Sequence, residues 1–296
     1  MRVVVTGTTG QVGGELMRAR WPAGFQPVGA DRRTLDLASG PAAIAGALAA
    51  LKPGIVVNCA AYTAVDRAES EPATAFAANA EGPGHLAAAC AELDIPLIHI
   101  STDYVFDGTK AGPYAEDDPV APLGVYGASK EAGERAVRAA QPRHVILRTA
   151  WVYSPIGHNF LRTMLRLAGE RDELRVVYDQ VGCPTAARDI AGAVMMVCAH
   201  VATGGRNWGT YHFAAAGRAS WHEFAETIIA WSAPRTGRRP QVKPITTAEY
   251  PTPARRPANS VLACGRIGDA FGIAPRPWRE GLREALEVLL SQSEGR

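Results

Sequence analysis

The chain opens Val3-Val4-Val5-Thr6-Gly7-Thr8-Thr9-Gly10-Gln11-Val12-Gly13-Gly14-Glu15-Leu16. Three consecutive β-branched residues suit a strand buried on both faces, as in a parallel sheet. Glycines at 7, 10 and 13 then turn the chain into a helix expected to begin near Gln11. Such a turn uses glycine for tight dihedrals and lets backbone N–H groups approach a ligand closely. The helix start adds free N–H groups and a partial positive charge, a ready site for a pyrophosphate. The spacing is G-x-x-G-x-x-G, not the commoner G-x-G-x-x-G. A glycine-rich turn without a ligand is the alternative, and the strand before and helix after speak against it.

Moving outward, Phe25 to Asp31 reads as a second, weaker strand ending in an acid. Asp31 lies 18 residues beyond Gly13, close to where a carboxylate binds adenosine ribose hydroxyls in a βαβ unit. Arg32 and Arg33 follow at once and offer to neutralise a 2′-phosphate instead; a solvated acid at a strand end is the plain alternative. Thr34-Leu35-Asp36-Leu37 leads into an Ala-rich helix stopped by Lys52-Pro53-Gly54. Ile55 to Ala61 is a buried strand closed by small residues, Pro72 to Leu93 a long helix, and Leu97 to Ser101 the next strand. This alternation implies an α/β fold, a Rossmann-type doubly wound parallel sheet with helices on both faces.

A long loop from Thr102 to Leu123 precedes Tyr126-Gly127-Ala128-Ser129-Lys130, which opens a helix running to about Ala140. Tyr126 and Lys130 are four apart and so share one helix face. An ammonium beside a phenol favours the phenolate and is expected to bring its pKa down from about 10. A phenol tuned this way exchanges a proton with a carbonyl or alcohol oxygen. Thr102, at the end of the preceding strand, is placed to hydrogen-bond the same oxygen, because ligands of doubly wound sheets sit at strand C-terminal ends. Alone, the pair reads equally as a surface tyrosine and a solvated lysine, and Thr102 as a strand cap.

Past residue 150 the regular alternation breaks down. His144 to Thr149 and Leu174 to Tyr178 are strands, and shorter helices fall near Asn159–Glu170, Ala187–His200 and Trp221–Ser232. Pro234 to Pro257 is basic and proline-rich and reads as mostly extended loop, before a last helix from Trp278 to Leu290. Residues 1–150 thus form a nucleotide-binding domain, with about 174–215 expected to return to it, and 151–296 a smaller, mixed, mainly substrate-binding domain.

Composition excludes several classes. A formal net charge of +2 gives no reason to propose nucleic acid or a membrane surface as partner. The five cysteines are scattered, without C-x-x-C pairs, which fits a reducing compartment. No signal peptide precedes the first strand, and the longest apolar run, Ile190 to Ala202, is too short to span a bilayer. The expectation is a cytoplasmic protein.

Gly7, Gly10, Gly13, Thr102, Tyr126 and Lys130 together resemble the extended branch of the short-chain dehydrogenase/reductase superfamily. Longer strings narrow this: Asn58 to Glu69, Ser101-Thr102-Asp103-Tyr104-Val105-Phe106-Asp107-Gly108, Pro122 to Gly127, Arg148 to Tyr153, Asp179 to Thr185 and Arg255 to Ser260. Spread over essentially the whole chain, they resemble the dTDP-4-dehydrorhamnose reductase family. The resemblance implies hydride transfer from NADPH or NADH to the 4-keto carbon of dTDP-4-dehydro-6-deoxy-L-mannose, giving dTDP-L-rhamnose. It implies that Tyr126 protonates the alkoxide, Lys130 holds nicotinamide ribose and tunes Tyr126, and Thr102 orients the carbonyl. It further implies Gly10, Gln11 and Val12 along the pyrophosphate, within the cofactor turn of Gly7, Gly10 and Gly13, and Asp31 at the adenosine ribose, where Arg32 is the neighbour read above as facing a 2′-phosphate. Asp36 and Leu37 would lie by the adenine, and Ala60, Ala61 and Tyr62 along the inner cofactor. Asp103 and Trp151 would face the sugar nucleotide, Trp151 having a rival reading as a core aromatic. Arg255 and Arg256 would pair with the diphosphate, or form a solvated pair in a proline-rich loop.

The resemblance also implies a homodimer with Mg²⁺ held by acidic side chains, one of them matched by Glu15. Near the next such position Arg188 stands where an acid is expected, which speaks against the metal and against dimerisation through it. Two other readings remain. A nucleotide-sugar dehydratase or epimerase shares the scaffold, but dehydration needs Thr-Asp-Glu where this chain has Thr102-Asp103-Tyr104. A nucleotide-binding regulatory subunit would not require an intact triad.

Overall fold

Val3, Val4 and Val5 are wholly buried, with packed side chains on both faces of their strand. The computed structural model describes residues 1–293. β1 (Arg2–Thr6) leads to α1 (Gln11–Arg18), β2 (Gln26–Ala30), α2 (Pro41–Leu51) and β3 (Ile55–Asn58). Two short helices, α3 (Val65–Ala68) and α4 (Pro72–Phe76), and a π-helical turn (Ala77–Glu81) precede α5 (Gly82–Glu92). Then come β4 (Leu97–Thr102), α6 (Val125–Ala140), β5 (His144–Thr149), β6 (Val152–Tyr153), α7 (Phe160–Glu170) and β7 (Glu173–Val177). β8 (Val181–Gly182), β9 (Thr185–Ala186), α8 (Ala187–Ala202), β10 (Gly209–His212) and β11 (Ala219–Ser220) follow. α9 (Trp221–Thr236), β12 (Gln241–Ile245), α10 (Gly265–Phe271) and α11 (Trp278–Ser293) complete the described chain.

The six-stranded sheet has the order β10-β5-β4-β3-β1-β2, and every pairing in it is parallel. Alternate residues face opposite sides, as strand geometry requires. Val3, Val5, Val57, Ile98 and Leu147 pack under α1 and α8. Val4, Val56, Leu97 and Ile146 pack under α2, α5 and α6. This is the doubly wound Rossmann-type sheet. The order reverses beside β1, so the cleft above the ends of β1 and β3 is where such a fold receives a ligand.

A second apolar core joins α7, α9, α11 and β7 around Leu161, Phe224, Ile228, Trp278 and Leu282. β7 pairs with β12 and not with the six-stranded sheet, whereas β10 joins that sheet beside β5. The proline-rich stretch departs from the loop expected there. α9 continues through Pro234, and Gln241 to Ile245 pair in parallel with β7. Pro244 is compatible with this because, among the described residues, β12 has β7 as its one strand neighbour, and an edge strand tolerates a missing N–H. Among the described residues no helix is long and apolar enough to cross a membrane.

Candidate active site

The three glycines of the first turn have separate duties. Gly7 has φ +65°, and a Cβ there would lie 2.6 Å from Ala60 N. A Cβ on Gly13 would strike the Gly7 carbonyl, so these two glycines let strand and helix close on each other. Around Gly10 such an atom meets only Gly7 O, at 3.2 Å, and otherwise open space. No side chain caps the N-terminus of α1 at Gly10. First-turn N–H groups facing open space, with the helix dipole behind them, fit the pyrophosphate of a dinucleotide. Val12 is buried under α8, and the half-buried Gln11 turns its side chain toward the second core, donating to Val152 O at 3.4 Å and accepting from Asn159 Nδ2 at 3.0 Å.

Asp31 ends β2 on the surface, and its Oδ1 accepts from Arg33 N, Thr34 N and Thr34 Oγ1, each at 3.0 Å. These bonds, led by those from Thr34, hold its carboxyl below the usual range, so it is an anion at neutral pH. Arg32, Arg33 and Asp36 are exposed beside it, while the Leu37 side chain belongs to the core under α2. Ala60, Ala61 and Tyr62 form a half-buried segment past β3. Asn79, wholly buried on the π-helical turn, clamps this segment: Oδ1 accepts from Tyr62 N at 2.8 Å and Nδ2 donates to Tyr62 O at 3.0 Å. Nδ2 also donates to Ser129 Oγ at 3.0 Å, which ties the segment to α6. A lone asparagine in an Ala-rich helix gave no sign of this role. The π-turn that aims it is the kind of irregularity that marks functional sites.

Tyr126 stands in the first turn of α6. Glu69 Oε1 accepts from Val125 N at 2.8 Å, a long-range cap on that helix that the sequence reading also missed. The tyrosine ring meets Tyr104 edge-on at 5.5 Å between centroids. Burial pushes its phenol up to about 12, opposed by a contact with the Thr102 hydroxyl and reinforced by the charge of Asp103. That reverses the direction expected from Lys130 alone. The Lys130 amine turns instead to the sheet, donating to Ile100 O at 2.8 Å with His99 Nε2 3.4 Å away. Burial brings Lys130 down to about 8. Thr102 Oγ1 donates to Asp103 Oδ1 at 2.9 Å and accepts from Tyr104 N at 3.2 Å. Asp103 is buried, its Oδ2 without a hydrogen-bond partner among the described residues, and burial pushes its carboxyl up to about 6.

Trp151 follows β5 with φ +47°, a conformation non-glycine residues adopt only when their surroundings impose it. Its half-buried ring stacks on Trp221 at 3.5 Å, and Nε1 donates to Ser260 Oγ at 3.1 Å. Arg256 forks onto Asp66, Nη2 to Oδ2 at 2.8 Å and Nη1 to Oδ1 at 3.1 Å, so it links the proline-rich loop to α3. Arg255 next to it is exposed.

The acidic side chains in question face arginines. Glu15 has the Arg18 guanidinium 3.6 Å away. Arg276 holds both Asp189, at 2.7 Å, and Glu284, at 2.6 Å, and Arg188 reaches Glu284 at 3.4 Å. Among the described residues no group of three His, Cys, Asp or Glu side chains is placed to hold an ion.

The family described as RmlD substrate binding domain matches residues 1–291. A dTDP-4-dehydrorhamnose reductase of Sinorhizobium fredii is 46% identical, over 99% of both chains. The crystal structure of a dTDP-4-dehydrorhamnose reductase from Clostridium acetobutylicum superposes with a TM-score of 0.91 at 39% identity, covering 98% of this chain and 99% of that one. That of the Bacillus anthracis reductase, in complex with NADP, gives a TM-score of 0.88 at 35% identity, covering 97% and 99%. With its glycine turn, its Thr-Tyr-Lys set and this likeness along its length, the chain belongs to the dTDP-4-dehydrorhamnose reductase family.

Proposed function

We propose that the protein reduces the 4-keto group of dTDP-4-dehydro-6-deoxy-L-mannose to dTDP-L-rhamnose with NADPH or NADH. The observation that carries this reading is the placement of the partly enclosed Tyr126 phenol against Thr102, on the helix that bears Lys130, at the strand ends beside the glycine turn. The bound nucleotide supplies the hydride. The chain's own groups do the rest. The first turn of α1 holds the pyrophosphate, Asp31 with Arg32 the adenosine ribose, and Lys130 the ribose at the reacting end. Thr102 turns its hydrogen from Asp103 to the substrate carbonyl. Tyr126, neutral because burial raises its pKa, donates the proton that the developing alkoxide needs.

On the substrate side, Asp103 and Trp151 face the sugar nucleotide in this reading, and Arg255 is the better placed of the two arginines for the diphosphate, since Arg256 is engaged by Asp66. Residues 1–150 with α8 and β10 act as the nucleotide-binding domain, and the core built on α7, α9 and α11 as the substrate domain. Five free thiols and nicotinamide chemistry suit the cytoplasm. Dehydration is the poorer reading, because Tyr104 stands where its acid–base glutamate is needed. The deciding assay couples the purified protein to a source of the keto-sugar and follows loss of reduced-nicotinamide absorbance. Nucleotide binding without turnover would point to a regulatory subunit instead.

A further inference from the structure

Three polar residues stand in register across β1, β3 and β4: Thr6 and Asn58 end their strands and His99 lies inside its own, Thr6 being the Cα partner of Asn58, and Asn58 of His99. Each is at most 1% exposed. Thr6 Oγ1 donates to Asn58 Oδ1 at 2.6 Å, and Ala60 N donates to the same oxygen at 3.1 Å. Two donors on one side of the amide fix its orientation, so Nδ2 donates to His99 Nδ1 at 3.0 Å. Burial holds the His99 imidazole far below its ordinary pKa, so the ring is neutral and its one proton sits on Nε2. That N–H faces Lys130 Nζ at 3.4 Å. An ammonium has only donors to offer it, whereas a neutral amine has a lone pair that accepts.

We propose that Thr6, Asn58 and His99 form a directional hydrogen-bond relay that biases Lys130 toward its neutral amine, which makes His99 a positioning residue for the reaction. The inference deepens the reductase reading, on which its catalytic meaning rests. Hydrogen bonding to the neutral form lowers a base's pKa, and here it would act in the same direction as the burial that brings Lys130 down to about 8. The charge on Lys130 matters to the reaction because the reductase reading has this side chain hold the ribose at the reacting end.

The other groups facing this pair do not explain the bias. Glu134, on the same helix, favours the ammonium. Cys59, past β3, is kept a neutral thiol by burial, which pushes it up to about 12. Tyr126 is likewise neutral. On the sheet side His99 is faced by His144 of β5, itself held below its ordinary range by burial.

The test is NMR on the full-length protein without nucleotide. Ring ¹⁵N shifts read the His99 tautomer, and the Lys130 Cε shift reads its titration. The wild type should show neutral His99 protonated on Nε2 and Lys130 titrating well below the ordinary lysine range. Asn58→Asp replaces the donor with an acceptor, so His99 should switch to Nδ1–H and turn its Nε2 lone pair to Lys130. The Lys130 titration should then rise by about one pH unit or more. A wild-type Nδ1–H tautomer overturns the relay, as does Asn58→Asp that moves neither signal. A raised Lys130 titration with an unswitched tautomer also overturns it, since added charge alone would do that. Should Asn58→Asp not fold, the wild-type tautomer decides. Failure of the reductase reading would appear separately, as no keto-sugar turnover with these NMR results intact.

Discussion

The Arg148 guanidinium forks onto the Glu134 carboxylate, Nε to Oε1 at 2.9 Å and Nη2 to Oε2 at 2.7 Å. Glu134 stands one turn beyond Lys130 on α6, and Ser101, the residue before Thr102, donates to the same carboxylate at 2.6 Å. One buried carboxylate therefore fastens β5 to β4 and α6, the elements that carry Thr102, Tyr126 and Lys130.

Removing Arg148 takes away the forked partner and leaves the buried Glu134 carboxylate to Ser101 and to Arg138, at 3.1 Å. Arg148→Met is expected to cost about 3–5 kcal/mol in denaturant unfolding, with Tyr126 and Lys130 displaced as well. Burial alone would raise the Glu134 pKa, but Arg148 and Ser101 hold it below the ordinary value. Its stabilisation is thus fully present above the unfolded-chain value of about 4.3 and lost as pH falls through the lower folded value. Urea midpoints should decline on that acid side in the wild type and show a smaller decline from this source in Arg148→Met.

Gly10 and Gly13 should fail in different ways. Gly10→Val places its side chain in mostly open space, so the fold should remain cooperative while reduced-nucleotide affinity collapses. Gly13→Val drives atoms into the Gly7 carbonyl and should lower thermal stability even without nucleotide. Nucleotide titration beside a melting curve separates the two; unchanged affinity in Gly10→Val would remove this turn from the binding site.

Asp31 beside Arg32 and Arg33 predicts use of both nucleotides. The carboxylate suits the free ribose hydroxyls of NADH, and the arginines offset its repulsion of the NADPH phosphate. The kcat/KM values should agree within about tenfold, roughly 1.4 kcal/mol. A thousandfold preference would show that one of these side chains is turned away from the ribose.

Asp103 has a buried oxygen without a partner among the described residues and a carboxyl raised to about 6 by burial. A carboxylate with a raised folded pKa costs stability increasingly as pH climbs from its unfolded value through the folded one. Asp103→Asn should therefore stabilise the protein near neutral pH, by about 1–3 kcal/mol, while slowing keto-sugar turnover. Melting temperature and turnover measured on the same variant check both halves.

Local pattern made much of this legible. Three valines before a glycine turn specify a buried strand, a tight turn and a helix start within sixteen residues, and Tyr126 with Lys130 needs only helix periodicity. What escaped is long-range. Asn79 acts on Tyr62 and Ser129, Glu69 on Val125, and Asn58 on His99, partners 17 to 56 residues apart that only the packed chain brings together. The stretch before Pro257 was misread because proline density signals loop, while the buried Leu174, Val176 and Ile245 recruit its centre as an edge strand. The phenol was expected to be lowered by its neighbour four residues on, but burial governs it and the amine faces the sheet.

In the reductase reading Tyr126 is the proton donor to the reduced carbonyl, and Tyr126→Phe bears on that step alone. The substitution removes the hydroxyl with little change in volume, so nucleotide should still bind. General acid catalysis is worth roughly 10²–10⁴-fold, and keto-sugar turnover should fall by that order. Turnover within about threefold of the wild type, well under that range, would take the role from Tyr126 and pass the proton to Asp103, Tyr104 or water.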